Sequence, residues 1–342
     1  MKEKDYLFGK TLEDLERITE QYGQKKFVAK QISDWLYKKD ATSIMEMSNI
    51  SKSFREVLNK EFFFGITPYV QVLTSKDGTK KYLFQYSEDT FVEAVCIFDK
   101  ERVTLCISTQ AGCKMNCDFC ATGKQGFKRN LSTNEILNIF RSVEEYRQIK
   151  NIVYMGMGEP LDNFFEVKRS LEILCKEYGY GFSPKRITVS TAGYLPFLEQ
   201  FLEQTNVDIA ISLHNPIPME RERIMPIEKV YSIEKVIKVL RRFDWTKQRH
   251  LTFEYIVFEG LNDQDKHINS LLKLLNGLKC RINLIPFNTI PNSIYKGVER
   301  EKMILFQQKL NKKGFLTTIR ASKGEDIMAA CGLLSTKKLE RK

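Results

Sequence analysis

The chain has 342 residues, of which 42% are hydrophobic and 28% are charged. This composition excludes collagen-like, low-complexity and wholly disordered proteins, and the length suits one α/β barrel with an added module. No run of about 18 apolar residues is present and residues 1–10 lack the apolar core of a signal peptide, so we expect a cytoplasmic protein without a membrane partner. The net charge of +11 favours a polyanionic partner, nucleic acid above all, although it would also serve solubility alone.

Eight cysteines occur in a chain that shows no secretion signal. Disulfide scaffolds belong to oxidising compartments, so these thiols indicate metal ligands or catalytic groups rather than structural disulfides. Three of them, Cys96, Cys175 and Cys280, stand alone in apolar patterns and are predicted to be small buried side chains.

Residues 1–66 carry the signals of a small helical module. Thr11 can cap a helix, and apolar residues recur at helical spacing in residues 27–37 and again in residues 53–62. The basic segment from Lys25 to Lys39 fits contact with a nucleic acid. A module that only packs against the rest of the chain fits equally well.

Residues 67–101 change to the alternation of apolar and polar side chains that is typical of strands. Runs at 69–73, 81–85 and 91–97 are separated by turn residues, including those at 76–78. We therefore predict an antiparallel β extension that leads into the next part of the chain.

Strands and helices then alternate over residues 102–334. Seven strands are predicted, at 103–108, 152–155, 186–190, 208–213, 252–257, 281–285 and 317–320. Such alternation indicates right-handed βαβ units and a parallel sheet. Because seven strands are fewer than a closed eight-stranded barrel needs, the predicted fold class is α/β with an incomplete (β/α)6-type barrel. Residues 335–342 form a basic tail.

Three cysteines, Cys113, Cys117 and Cys120, follow the first of these strands. The next helix is predicted to start at a capping box from Ser132 to Glu135, so the thiols lie on a loop at the carboxyl end of a parallel strand, where α/β folds build their sites. Thiolates suit iron–sulfur clusters or zinc, and structural sites of both kinds normally take four protein ligands. Three ligands leave one metal position open, and an open iron can bind a substrate.

Glycines and polar residues follow the later strands and would face the same rim. Residues 156–160 read GMGEP, in which the glycines allow a ligand to approach and the carboxylate can accept from an ammonium group. The candidates at this rim are Gly158, Glu159, Ser190, Ser212, Leu213, His214 and Asn288. Each of them alone could be an ordinary turn or structural residue.

The spacing CxxxCxxC, with Phe119 before the last cysteine, resembles the signature of the radical S-adenosylmethionine (SAM) enzymes. Taken with further segments, it is similar to the RlmN/Cfr family of RNA methyltransferases, and within that family to the enzymes that modify C2 of adenine. These segments are Cys106, the GMGEP turn, SLH at 212–214, NLIPFN at 283–288 and the AACG segment that contains Cys331. The resemblance covers nearly the whole chain.

The resemblance implies a radical SAM partial barrel that holds one [4Fe–4S] cluster on Cys113, Cys117 and Cys120. In this superfamily the amino and carboxylate groups of SAM chelate the fourth iron, and electron transfer cleaves the sulfonium to a deoxyadenosyl radical. The rim residues would then contact SAM, and an electron donor such as flavodoxin or ferredoxin would reduce the cluster. One departure is Leu333, where the family usually has glutamine.

The resemblance also assigns roles to the two outlying thiols. One SAM methylates Cys331 and a second yields the radical that takes hydrogen from this methyl, so two SAM molecules are used per turnover. The carbon radical adds to C2 of adenosine 2503 in 23S rRNA or of adenosine 37 in tRNA. A base at Glu93 removes the C2 proton, and Cys106 attacks the Cys331 sulfur, which releases the product and leaves a disulfide. We expect the enzyme to be a monomer.

Three alternatives stay open. The first is an adenine-C8 methyltransferase of the same family, of the Cfr kind. The second is a radical SAM enzyme that acts on a small molecule, for which Cys106 and Cys331 would have no use. The third is a zinc-containing RNA-binding protein without catalytic activity.

Overall fold

The N-terminal helical module begins at a complete capping box. In the computed structural model, which describes residues 4–247 and 249–335, Thr11 and Asp14 each accept a hydrogen bond from the backbone of the other, so the helix predicted after Thr11 is confirmed. The module consists of three helices, one pair of parallel strands and a 3-10 turn: β1 (Asp5–Tyr6), α1 (Leu12–Gln21), α2 (Lys26–Tyr37), the turn Ile44–Glu46, α3 (Lys52–Glu61) and β2 (Phe62–Phe63).

The predicted antiparallel extension is present, and it belongs to the main sheet. Its strands are β3 (Gln71–Thr74), β4 (Lys80–Gln85) and β5 (Phe91–Asp99). All of them pair antiparallel with their neighbours in the chain. Since this pairing continues from β5 into the next strand, the extension and the barrel share one hydrogen-bonded sheet.

The first strand of the parallel series is β6 (Arg102–Cys106). A small antiparallel pair that the sequence analysis did not predict follows it, formed by β7 (Gln110–Gly112) and β8 (Phe127–Asn130), with the short helix α4 (Ala121–Gln125) between them. The cysteine loop therefore lies between two paired strands that hold its ends. After it, α5 (Thr133–Ser142) begins at the predicted capping box of Ser132 and Glu135.

Six more parallel strands complete the sheet. They are β9 (Ile149–Tyr154), β10 (Ile187–Thr191), β11 (Asp208–Ser212), β12 (Leu251–Val257), β13 (Arg281–Pro286) and β14 (Leu316–Ile319). Every one overlaps a predicted strand. In the described residues the strand order is β14-β13-β12-β11-β10-β9-β6-β5-β4-β3, and no pairing joins the two edges. The barrel is therefore incomplete, as predicted.

Helices connect these strands. They are α6 (Phe164–Cys175), α7 (Leu195–Gln204), α8 (Pro218–Ile224), α9 (Ile233–Leu240), α10 (Asp265–Leu275) and α11 (Arg300–Lys312). Short 3-10 turns lie at Tyr146–Gln148, Pro184–Arg186, Pro226–Lys229 and Glu325–Ile327. Over the two described ranges, none of the helices combines the length and apolarity needed to cross a lipid bilayer. Of the predicted basic tail, residues 336–342 lie outside the described residues.

The N-terminal module packs directly onto the barrel. Its buried residues, among them Phe8 and Leu36, belong to the same hydrophobic core as the barrel strands. At the interface, the side-chain amide of Asn134 on α5 donates to the backbone carbonyls of Phe8 (3.1 Å) and Gly65 (2.7 Å). These bonds attach the module to the helix that follows the cysteine loop.

The hydrogen bonds of Asn134 should contribute measurably to stability. Asn134→Ala is expected to lower the free energy of unfolding by about 1–3 kcal/mol, because two interface carbonyls lose their donor. Denaturant unfolding followed by circular dichroism measures this change. Asn59→Ala, at an exposed position of α3, is the matched control and should stay within about 0.5 kcal/mol of the parent. Equal stability of the two variants would show that these bonds do not hold the module.

Candidate active site

A cavity of about 650 Å³ lies on the concave face of the sheet. Residues from β5, β6 and β9 to β14 all contribute to its wall, so the sheet curves around it. Most predicted site residues line this cavity: Cys106, Cys113, Cys117, Cys120, Gly158, Glu159, Ser190, Ser212, His214, Asn288 and Cys331. Two predicted residues, Glu93 and Leu213, are not part of its wall.

Backbone hydrogen bonds hold the cysteine loop in place. The N–H of Cys113 donates to the carbonyl of Gly126 (3.0 Å). The N–H of Asp118 donates to the carbonyl of Ile224 at the end of α8 (2.9 Å). Gly112 precedes the first thiol with φ +79°, and a Cβ there would lie 1.8 Å from the Gly126 oxygen, so only glycine fits. The loop is thus supported from two directions.

The three thiols are soft ligands of the kind that iron–sulfur clusters take. Burial raises the pKa of Cys113 to about 12 and the pKa of Cys117 well above its usual range, so a bound cation would favour their ionised forms. In a four-iron cluster each thiolate binds a different iron, so three thiols from this loop would hold three of the four irons.

The GMGEP turn after β9 places a buried carboxylate at the cavity wall. Glu159 accepts from the backbone N–H groups of Leu161 (3.1 Å) and Ala192 (2.8 Å), and burial raises its pKa to about 7. Gly158 has φ +99°, and a Cβ there would lie 2.5 Å from the Cβ of Gln110. Close packing against Gln110 therefore also requires glycine here, and Gly158 lines the cavity, so its predicted contact with a ligand stays a prediction.

The ends of β10 and β11 bring three of the four predicted rim residues to the cavity. Ser190, Ser212 and His214 line it, whereas the side chain of Leu213 is fully buried in the main core. The Leu213 side chain lies in the core because successive side chains of an extended segment point to opposite faces, and a cofactor contact through its backbone stays a prediction. Its flanking residues face the cavity, so Leu213 faces the core.

His214 is a neutral histidine with an internal partner. Its Nδ1 accepts from the backbone N–H of Ile256 (3.0 Å), and its ring packs edge-on against Phe119 with 4.9 Å between ring centroids. Burial lowers its pKa to about 3. The ring proton therefore resides on Nε2. His214 lines the cavity, so its Nε2–H is a hydrogen-bond donor in the cavity wall.

A fully buried arginine, which no sequence pattern indicated, lies behind these strand ends. Arg221 pairs with Glu228 and donates to the backbone carbonyls of Ala192 (2.9 Å), Ser212 (2.9 Å) and Leu213 (3.0 Å). These bonds hold the ends of β10 and β11 in the geometry that forms the wall. No pattern could have revealed this role, because a buried and an exposed arginine look alike in the charged helix α8.

The C-terminal loop carries Cys331 to the cavity, where its side chain is exposed. The carbonyl of Gly332 accepts from the N–H of Ala121, directly after the last cysteine of the trio (2.8 Å). The side-chain amide of Asn288 donates to the carbonyl of Cys331 (3.1 Å). Asn288, predicted as a cofactor contact, therefore also holds this loop.

Cys106, at the end of β6, lines the same cavity as Cys331. Burial raises the pKa of Cys106 to about 12, and the guanidinium of Arg320 opposes this effect. Arg320 follows the last residue of β14 and interacts electrostatically with both thiols. From the sequence, Arg320 could be predicted only as the last residue of a strand. Because site residues of α/β folds lie at strand ends, that position was the one sign of a role in the site. All eight cysteines are free, so the disulfide implied by the resemblance is not formed here.

Glu93 is buried on β5 beside the segment that follows Cys331. Its carboxylate pairs with Lys81 (2.9 Å) and accepts from the backbone N–H of Ser335 (2.9 Å). Val95, two positions along on the same face of the strand, lines the cavity. Glu93 therefore lies next to the cavity and against the loop that carries Cys331.

Comparison with known proteins identifies the family. Residues 107–272 match the radical SAM superfamily, and residues 6–63 match the ribosomal RNA large subunit methyltransferase N-terminal domain. A "Probable dual-specificity RNA methyltransferase RlmN" from Phocaeicola vulgatus is 50% identical, covering 99% of this chain and 97% of its own length. The chain belongs to the RlmN family of radical SAM RNA methyltransferases.

Two other proteins agree with this assignment. The "Dual-specificity RNA methyltransferase RlmN" of Syntrophus aciditrophicus is 40% identical over 97% of each chain. The crystal structure of a radical SAM methyltransferase from Sphaerobacter thermophilus has a TM-score of 0.90 and 36% identity, covering 97% of this chain and 100% of that one. The predicted fold class is thereby confirmed, and a radical SAM family implies a [4Fe–4S] cluster and SAM. A non-catalytic zinc protein is no longer a tenable interpretation.

Iron binding should depend on Cys113, Cys117 and Cys120. Protein reconstituted with iron and sulfide without oxygen should be brown and hold about four irons per chain. Cys117→Ala should lose the charge-transfer absorbance, because one cluster iron loses its ligand. Cys175→Ala, at the end of α6, is the control and should keep it. Full iron content and absorbance in Cys117→Ala would contradict the assignment.

Proposed function

We propose that the chain methylates C2 of adenine in 23S rRNA, at adenosine 2503, and in tRNA, at adenosine 37. The observation that carries this proposal is that Cys106 and Cys331 line the same cavity as the three cluster cysteines. The relatives are named dual-specificity RNA methyltransferases, which supports two kinds of RNA as substrates. One chain supplies all of these groups, so we propose that the monomer is active. We propose that it acts in the cytoplasm.

The chemistry of adenine explains why thiols beyond the cluster are needed. C2 lies between two ring nitrogens and is electron-poor, and the methyl of SAM is also an electrophile, so a direct polar transfer would pair two electrophiles. The residues fit the implied cofactors: three thiols for the cluster, and the Glu159 carboxylate for an ammonium group. When bound, the cluster and SAM supply one-electron cleavage of the sulfonium, with a donor such as flavodoxin or ferredoxin as the electron source.

Cys331 acts as the methyl carrier in this proposal. Its side chain is exposed in the cavity, so its thiolate can displace the methyl of a first SAM; the bond from carbon to Cys331 forms as the bond to the sulfonium breaks. A second SAM in the same turnover activates the carried methyl for addition to C2. Ser190, Ser212 and His214 offer polar groups to SAM from the cavity wall.

Glu93 and Cys106 release the product. The adduct formed by radical addition would return its unpaired electron to a one-electron acceptor, such as the oxidised iron–sulfur cluster, and Glu93 takes the proton from C2. The Cys106 thiolate then attacks the Cys331 sulfur: an S–S bond forms, the bond from that sulfur to the methylene carbon breaks, and its electron pair stays on carbon, which takes a proton to become methyl. Arg320 supports this attack because a nearby positive charge favours the thiolate.

The adenine must leave its stack in the RNA to reach this cavity. The N-terminal module offers cations for the RNA backbone, since Lys25, Lys26 and Lys30 are exposed and, within the described residues, form no ion pair. Basic residues beside the cysteine loop are less available, because they already pair with carboxylates, as Lys124 does with Asp118. We therefore assign RNA contact chiefly to the module.

The position of the new methyl group tests this function. Anaerobic turnover of the holoenzyme with SAM, a reductant and unmodified transcripts of 23S rRNA and tRNA should yield 2-methyladenosine, measured by nucleoside mass spectrometry. Formation of 8-methyladenosine alone would indicate the adenine-C8 methyltransferase instead. SAM cleavage with both RNAs left unmodified would favour a small-molecule substrate.

The carrier role of Cys331 predicts a separation between cofactor binding and methyl transfer. Cys331→Ala should keep its cluster and bind SAM, because no cluster ligand is changed, yet no methyl should reach the protein or the RNA. Isotope-labelled SAM and mass spectrometry of both products measure this. Cys280→Ala, just before β13 and outside the cavity wall, is the control and should methylate RNA normally. RNA methylation by Cys331→Ala would refute the mechanism.

A further inference from the structure

A buried ion pair joins β4 and β5 beside the cavity. The Nζ of Lys81 lies 2.9 Å from Oε1 of Glu93, and the two side chains are only 5% and 4% exposed. Burial of two charges is costly unless the pair has good geometry and further hydrogen bonds. Lys81 and Glu93 each make a further hydrogen bond, so the pair is a buried structural ion pair and not a surface contact.

The further partners of the pair lie on the loop that carries Cys331. Lys81 donates to the backbone carbonyl of Met328 (3.3 Å), and Glu93 accepts from the backbone N–H of Ser335 (2.9 Å). Met328 precedes Cys331 and Ser335 follows it. The ion pair therefore holds this loop on both sides of the thiol.

Few groups face the Glu93 carboxylate. From β4 it meets Lys81, and from the C-terminal loop it meets the N–H of Ser335. The thiol on β6 is that of Cys106. Its cross-strand partner on β5 is Val95, two positions after Glu93. The backbone N–H of Glu93 donates to the sulfur of Met157 (3.4 Å), an uncharged group. Across the described ranges, Lys81 is the one charged side chain within ion-pair distance of this carboxylate.

The charge of Lys81 opposes the effect of burial on Glu93. Burial raises the pKa of the Glu93 carboxyl, and the Lys81 ammonium lowers it. Loss of the cation would leave only the hydrogen bond from the Ser335 N–H to oppose burial, so the carboxyl would hold its proton up to a higher pH.

We infer that Lys81 is a positioning residue for the release stage of methyl transfer: it keeps Glu93 as a carboxylate and holds that carboxylate beside the loop of Cys331. This inference rests on the proposed function, in which Glu93 takes the C2 proton. In that step the C2–H bond breaks, the proton passes to a Glu93 oxygen and the electron pair stays with the adduct. Only an ionised carboxylate can accept this proton. Only a carboxylate close to Cys331 can reach an adenine that is bonded to that sulfur through one carbon.

Lys81→Met tests the inference because it keeps the length of the side chain and removes the charge. The holoenzyme is turned over with RNA, and the decay of the covalent RNA–protein adduct is followed across pH on denaturing gels. The acid limb of this profile should move up by about one pH unit or more, and decay near neutral pH should slow about tenfold or more. Methylation of Cys331 without RNA should fall much less than adduct decay, because that step does not use Glu93 and the loop keeps its hydrogen bonds to Ala121, Thr122 and Asn288.

Three further variants separate charge from packing. Lys80→Met removes the neighbouring lysine of β4, which pairs with Glu144 and Glu145, and should leave the pH profile unchanged. Lys81→Arg returns the charge and should restore most of the rate. Lys81→Met combined with Glu93→Gln should be no slower than Glu93→Gln alone, because Lys81 acts through Glu93.

The outcomes distinguish this inference from the function on which it rests. An unchanged pH profile in Lys81→Met, with slow adduct decay in Glu93→Gln, would overturn the inference and leave the proposed function standing. Adduct decay at the wild-type rate in Glu93→Gln would instead remove Glu93 as the base. Equal losses of Cys331 methylation and adduct decay in Lys81→Met would reduce Lys81 to a structural role. If Lys81→Met does not fold, Lys81→Gln is the second neutral variant and should show the same shift.

Discussion

The hydrogen bonds that hold the Cys331 loop against the rim of the barrel are the constraint on which the site depends. The cluster cysteines follow the first parallel strand, whereas Cys331 follows the last, so the chain itself does not bring them together. The N–H of Ala121 donates to the carbonyl of Gly332, and the hydroxyl of Thr122 donates to the carbonyl of Leu334 (2.7 Å). Because these bonds are short and directional, they set the position of the Cys331 thiol relative to the cysteine loop.

Burial and nearby cations act against each other throughout the site. Burial raises the pKa of Cys106, Cys113 and Glu159, which favours the protonated form of each group. The chain supplies a cation where the proposed chemistry needs an anion, as Arg320 does for the thiols and Lys81 does for Glu93. At the cysteine loop, the iron of a bound cluster would supply this charge. The site thus favours ionised groups only where a defined partner stabilises them.

The strands from β9 to β14 could be predicted because each is a short apolar run separated from the next by a helical pattern. The three-cysteine motif could be recognised because its spacing is local, and its role as the ligand set of a cluster stays a prediction. The pair β7 and β8 was missed, since strands of three and four residues show almost no periodicity. The side chain of Leu213 lies in the core although its two neighbours line the cavity, because side-chain alternation directs the middle residue of this segment away from the rim. Arg221 was missed because charged residues in an amphipathic pattern are normally exposed.

Local patterns in the sequence are enough to predict the order of helices and strands, the three-cysteine motif and the family resemblance. Each of these depends on residues that lie near one another in the chain. The burial of Glu93 with Lys81, the docking of the Cys331 loop and the approach of Arg320 to both thiols arise only when β4, β5, β14 and the C-terminal loop pack together. Burial and electrostatic partners depend on contacts between distant segments. No periodicity or spacing records such contacts, and folding alone creates them.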